Sequence, residues 1–263
     1  RPSEGEELYT LFMPDTGEKK SLRPNDTNTH VTPEEVAATL DETSTLASLF
    51  PGYEQRPQQI SMAQAVAKAF NRSDHLLIEA GTGTGKSLAY LIPSVLWALR
   101  NNQRVVISTN TINLQDQLLL KDIPAVREAL GVDFSAAIMK GRGNYLCPRR
   151  LLTVRRRRPN NVDELRTLAK ILVWLLESAS GDRGEISLRG SEEYGTWARL
   201  SAEDEGCTTH RCLVEMAGAC PFYKARKAAE SAHILIVNHA LLLADAVSPN
   251  AVLPAYDYVV IDE

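Results

Sequence analysis

The chain has 263 residues, a net charge of −4, 44% hydrophobic and 24% charged residues. That is an ordinary globular composition, long enough for one large domain or one domain plus an insertion. The acidic balance excludes a protein that coats polyanions by bulk charge, although a local basic track would still serve a nucleic-acid enzyme. No apolar run approaches a membrane span, and no basic, apolar, small-residue leader opens the sequence. A cytoplasmic location is therefore expected. The chain opens on Arg1 and closes where an apolar run delivers Asp262 and Glu263, so a fragment of a longer protein is expected too.

Residues 1–50 are polar and irregular up to Thr32. There Thr32-Pro33-Glu34-Glu35 supplies an N-cap, a first-position proline and first-turn acids for a short helix. From Pro57 to Asn71, Ile60, Ala63, Val66, Ala67 and Phe70 recur at helical spacing. Strands and helices then alternate. Leu76-Leu77-Ile78 reads as a short buried strand, followed by a long helix from Lys86 to Arg100 that Pro93 should kink. Val105 to Ile107 reads as a strand, Ile112 to Leu120 as a helix and Ala136 to Met139 as a strand. Ile234 to Val237 and Val259 to Ile261 complete the set. Fully apolar strands separated by helices predict an α/β fold with a parallel sheet covered on both faces. The ligand site of such a sheet lies at the carboxyl ends of its strands. Between Cys147 and Cys220 this rhythm breaks for an arginine run (Arg155 to Arg158), a helix from Val162 to Ser178 and an acidic stretch. That segment reads as an insertion.

Ala80-Gly81-Thr82-Gly83-Thr84-Gly85-Lys86-Ser87 follows the first expected strand and opens a helix, the setting in which a P-loop is credible. Its glycines let backbone N–H groups turn inward as an anion nest at a helix N-terminus. Lys86 is then the residue that reaches the β- and γ-phosphates of ATP, and Ser87 ligates Mg²⁺. Ala80 stands where the motif usually has glycine. Asp262 and Glu263, at the tip of the last strand, supply the second half: Asp262 to hold Mg²⁺, Glu263 to orient and deprotonate the attacking water. Alone, such an acidic pair is an ordinary solvated strand end; the P-loop upstream gives it a role. In Arg56-Pro57-Gln58-Gln59, a glutamine offers the paired donor and acceptor that an adenine edge needs, the plain alternative being a helix start.

Cys147, Cys207, Cys212 and Cys220 are all the cysteines of the chain. In a reducing compartment, four cysteines point to a metal rather than to disulfides. Their spacing lacks the short C-x-x-C knuckles usual for zinc. One distant and three clustered cysteines suit a group that staples the two ends of an inserted loop. Spacing leaves an iron–sulfur cluster and zinc both open, with unrelated free cysteines as the lesser alternative; His210 could add a ligand but reads first as a surface residue. For a nucleic-acid track, the hydroxyl and amide side chains of Thr109, Asn110, Thr111, Gln115 and Gln117 can bond phosphates without reading bases, or simply cap a helix. Lys140, Arg142 and Tyr145, just before Cys147, pair cations with an aromatic suited to a single strand.

In this order the pieces resemble the DinG/XPD-like iron–sulfur helicases of superfamily two. The matching residues are Arg56 to Gln59 (Q motif), Ala80 to Ser87 (motif I), Ser108 through Leu118 (motif Ia), Lys140 to Cys147, the later three cysteines, Ala232 to Leu242, and Val259 to Glu263 as the start of a DEAH box. Asn238-His239-Ala240-Leu241-Leu242 places the likeness nearer the bacterial DinG branch. The resemblance implies a RecA-like P-loop NTPase domain carrying an inserted, mostly helical 4Fe–4S domain on the four cysteines. It also implies ATP and Mg²⁺ as cofactors, and 5′→3′ movement on single-stranded DNA with forked or partly duplex DNA as partner. The expected organisation is an N-terminal extension (1–50), motor domain 1 (51–146), the cluster insertion (147–220) and the motor's continuation (221–263). Two further readings stand beside the helicase: a nucleic-acid-binding ATPase acting as a redox sensor, and one with a zinc-stapled insertion. A nuclease is disfavoured, because no further Mg²⁺-carboxylate set accompanies Asp262 and Glu263.

Overall fold

The computed structural model describes residues 21–178, 180–203, 206–216, 219–248 and 252–263. The first part of the expected N-terminal extension, residues 1–20, lies outside them. The chain divides into two compact units, one holding 140–228 and the other 20–139 with 229–263. The first of these is wider on both sides than the expected insertion of 147–220.

The larger unit is α/β. Helix α1 (Pro33–Thr39) starts on a full capping box, in which Thr32 accepts from Glu35 N and the Glu35 carboxylate accepts from Thr32 N. The Glu35 carboxylate also takes both terminal nitrogens of Arg100, at 2.9 and 3.1 Å. A short helix, α2 (Thr45–Leu49), and then α3 (Pro57–Arg72) and α4 (Lys86–Asn101) follow. Helix α3 buries Ala63, Val66, Ala67 and Phe70, the residues whose periodicity predicted it. In α4, Pro93 lies inside the helix, and Ser94 donates its hydroxyl to Tyr90 O at 2.6 Å.

Four parallel strands form the sheet: β1 (Val105–Thr109), β2 (Ala136–Ile138), β3 (Ile234–Asn238) and β4 (Tyr258–Asp262), in the order β2-β3-β1-β4. Both faces of the central strands are covered. Val105, Ile107, Ile234 and Ile236 join one cluster with α1, α3 and α4, while Val106, Leu235 and Val237 are buried on the opposite side. Among the described residues no helix is long and apolar enough to cross a membrane.

Two expectations change. Leu76 to Ile78 is not a strand: residues 75–80 carry no regular structure, and Leu76 and Leu77 are 45% and 98% exposed. Apolar, β-prone residues become a strand only when their backbone groups find a pairing neighbour, and this segment pairs with none of the four strands. The helix after β1 is also longer than its pattern suggested. Helix α5 (Ile112–Gln117) runs through a π-helical turn at Leu118–Asp122 into α6 (Ile123–Leu130). Pro124 has no N–H to return to the preceding turn, and the widened turn absorbs that loss.

The second unit is helical: α7 (Pro148–Arg155), α8 (Val162–Trp174), α9 (Gly190–Leu200), α10 (Thr209–Met216) and most of α11 (Pro221–Glu230). It has its own core of Leu146, Leu151, Leu168, Ile171, Leu175, Trp197 and Leu200. Helix α8 is capped by Asn161, whose side chain accepts from Glu164 N, and it ends before the expected Ser178. Helix α12 (His239–Val247) belongs to the larger unit and leaves β3 directly.

Ile236 is fully buried at the centre of the sheet. Truncation to Ile236→Ala should destabilise the larger unit by about 3 kcal/mol, read as a lowered midpoint in urea unfolding.

Candidate nucleotide site and cysteine cavity

Register puts the chemistry in one place. Thr109 pairs with both Asn238 and Asp262, so the carboxyl ends of β1, β3 and β4 finish at the same level. The P-loop approaches from α4. Gly83 and Gly85 take φ of 77° and 79°, left-handed values that a side chain resists. Thr84 Oγ1 donates to Gly81 O at 2.9 Å and closes the loop. Lys86 Nζ bonds the Ala80 carbonyl at 3.2 Å, so its ammonium lies folded over the loop. Thr82 is exposed at the tip.

The glutamine and arginine upstream grip this loop from α3. Gln59, only 4% exposed, donates its amide to Gly85 O at 2.9 Å, and Arg56 donates to Gly83 O. A Cβ on Gly85 would sit 2.1 Å from Gln59 Nε2. Both motifs are thus one packed object rather than two neighbours in sequence.

The P-loop helix and Asp262 are joined through a residue that motif reading passed over. The Tyr90 hydroxyl donates to Asp262 Oδ2 at 2.8 Å. Burial and the Asp262 charge hold the Tyr90 phenol well above the usual range. Its signal in the sequence was position: three residues past Ser87 on one helix, it shares Ser87's face. His239 was also missed. Its Nδ1 pairs with Ser108 Oγ at 2.7 Å and its Nε2 with Glu263 O at 3.2 Å. The carbonyl can only accept, so Nε2 carries the proton and Nδ1 accepts from Ser108. Glu263 is exposed at the strand tip.

The nucleic-acid candidates divide by burial. Asn110, Thr111, Gln117 and Arg142 are exposed. Thr109 and Gln115 are fully buried, and Lys140 and Tyr145 are 3% exposed, so none of these four presents a surface to a strand. Thr109 is withdrawn by its place in a central strand, and Gln115 by the inner face of α5. Lys140 forms an ion pair with Asp182 at 2.5 Å, and Lys140 N donates to the Tyr145 hydroxyl at 3.0 Å. A lysine and a tyrosine beside glycines looked like a strand guide; in the fold they close the interior of the helical unit.

All four cysteines border one cavity, together with Arg149, Arg211 and Met216. Burial, then the neighbouring thiols, push Cys207 and Cys212 up to about 11, and burial raises Cys220. Arg142 opposes this at Cys207, whose carbonyl accepts from Arg142 at 3.0 Å. Among the described residues no three His, Cys, Asp or Glu side chains gather as tightly as a single metal ion requires. The thiols ring a cavity; they do not knot around a point. His210 is exposed.

With this geometry in place, comparison with known proteins adds three relatives. The chain is 38% identical over 83% of its length to the 3′-5′ exonuclease DinG of Bacillus subtilis, of which it covers 23%. It is 35% identical over 88% of its length to the ATP-dependent helicase DinG of Mycobacterium tuberculosis, covering 37% of that protein. The ATP-dependent DNA helicase YoaA of Escherichia coli matches 83% of the chain at 35% identity, with 34% of its own length covered. Residues 56–146 match the DEAD/DEAH box helicase family. Over most of its length the chain is similar to DinG-type proteins, and residues 56–146 are similar to a DEAD/DEAH box helicase domain. Its sheet and P-loop make that domain RecA-like, and the chain spans between about a quarter and two-fifths of the length of these relatives.

The Gln59 contact predicts a paired result. Gly85→Ala should weaken ATP binding at least about tenfold, through clash and left-handed strain. Gln59→Ala added to it should recover part of the loss, as measured by fluorescent-nucleotide titration.

Proposed function

We propose that the protein is an ATP-dependent DNA helicase that couples ATP hydrolysis to 5′→3′ translocation on single-stranded DNA and to unwinding of forked or partly duplex DNA. Its setting is replication or repair in the bacterial cytoplasm. The observation that carries the reading is the bond from Tyr90, on the helix that Lys86 and Ser87 open, to Asp262 at the carboxyl end of one parallel sheet. The relatives' names support the same activity.

In this reading the amides of the Gly81–Gly85 loop and the α4 N-terminus receive the phosphates. Lys86 leaves the Ala80 carbonyl for the β- and γ-oxygens, and Arg56 and Gln59 lie on the adenine side while bracing the loop. Ser87 and Asp262 are hard oxygen donors fit for Mg²⁺, which when bound neutralises charge on the phosphates. Glu263 orients the attacking water and takes its proton, and His239 fixes its backbone relative to Ser108. Transition-state charge also calls for an arginine from a second motor domain. Asn110, Thr111, Gln117 and Arg142 are the residues suited to phosphates of the single strand.

Cys147, Cys207, Cys212 and Cys220 would hold a 4Fe–4S cluster. A cavity ringed by four thiols suits a cluster whose irons each take one cysteine, better than one zinc bound at about 2.3 Å by four sulfurs. When bound, the cluster supplies a rigid staple for the helical unit and a one-electron centre. The redox-sensor reading differs in making cluster state control DNA affinity.

Two measurements on the full-length protein test this. Lys86→Ala should abolish DNA-stimulated ATP hydrolysis, and retained turnover would sink the mechanism. Anaerobically purified protein should contain about four iron and four sulfide per chain, lost in Cys147→Ser; one zinc without sulfide would replace the cluster by a zinc staple.

A further inference from the structure

Tyr90 has no part in the family motifs, yet its hydroxyl is bonded to Asp262, a side chain assigned to magnesium. It lies on α4 at 2% exposure, three residues past Ser87, and donates to Asp262 Oδ2 at 2.8 Å. We infer that Tyr90 is a positioning residue, whose buried hydroxyl ties the Asp262 carboxylate to the helix that carries Ser87, so that the Mg²⁺ site is assembled before the metal arrives. The inference rests on the roles given above to Ser87 and Asp262.

Asp262 ends β4, which pairs within the described sheet only through β1. The backbone there does not choose among the rotamers of the carboxylate. Tyr90 is set by α4, and by donating to Oδ2 it holds one carboxylate oxygen and leaves Oδ1 open.

A partner one shell out that orients the ligands of a metal typically changes its affinity by about 10- to 100-fold. A phenylalanine here keeps the ring packing and removes only the hydroxyl.

The test compares full-length wild type with Tyr90→Phe, and with Tyr90→Met as a second variant that fills the volume without a hydroxyl. Mn²⁺ is titrated into the ADP complex and followed by EPR, and ADP affinity is measured separately in EDTA. Both variants should bind Mn²⁺ about tenfold more weakly while holding metal-free ADP within about twofold of wild type. The Mg²⁺ needed for half-maximal ATP hydrolysis should rise by a similar factor. Unchanged Mn²⁺ affinity overturns the inference. So does an equal loss of metal-free ADP binding, which would make the phenol a structural support of the P-loop helix. Absence of ATP hydrolysis in the wild type would instead overturn the helicase reading, and the Mn²⁺ comparison distinguishes the two.

Discussion

A parallel sheet cannot be closed by tight turns; each strand must return to the same edge before it can pair. That constraint orders this molecule. Because β1, β3 and β4 run the same way in matched register, Thr109, Asn238 and Asp262 end side by side, and each is followed by a segment that carries chemistry. Motif Ia leaves the first, the Asn238-His239 turn the second, and the acidic pair belongs to the third. The return path from β2 to β3 has to be a crossover, and the entire cysteine-bearing unit is housed within it. An insertion at such a crossover leaves the strand register untouched, since both of its ends are fixed by strands that already pair.

Within the nucleotide site the polar groups are arranged in pairs that restrain one another. Gln59 and Arg56 take the carbonyls of Gly85 and Gly83, which turns those peptides so that their N–H groups face the other way. The absence of a side chain at Gly85 is what allows the amide of Gln59 to approach. Tyr90 ties Asp262 to α4 as Gln59 ties the loop to α3. The Ser108–His239 pair joins the ends of β1 and β3 in the same manner. Buried hydrogen bonds of this kind are costly to break singly, because each leaves a desolvated partner behind.

The cysteine cavity follows the reverse logic. Burial first, and the neighbouring thiols after it, disfavour ionisation of Cys207, Cys212 and Cys220. A cationic centre turns that penalty into attraction, because thiolates are its ligands. The core of Leu146, Ile171, Trp197 and Leu200 beneath the helices gives the unit packing of its own.

Much was legible from residue order alone. Glycines followed by Lys-Ser, the capping box at Thr32, the period of α3 and the fully apolar strands are local signals, and local physics decides them. Four cysteines in one segment pointed to a shared site for the same reason. Other features depended on what each segment meets. Leu76 to Ile78 has strand chemistry but pairs with no strand among the described residues, so it is irregular there. Lys140 and Tyr145 have the composition of a strand guide, but Asp182 and the helical interior claim them. Tyr90 looked like core because its hydroxyl partner, Asp262, stands 172 positions away. The sequence by itself determined where the helices start and where the phosphate-loop motif stands, since propensity, capping and phosphate-loop geometry are short-range. Only the tertiary structure decided which polar groups are bonded and which reach solvent, because burial and pairing are properties of neighbours the chain brings together from afar.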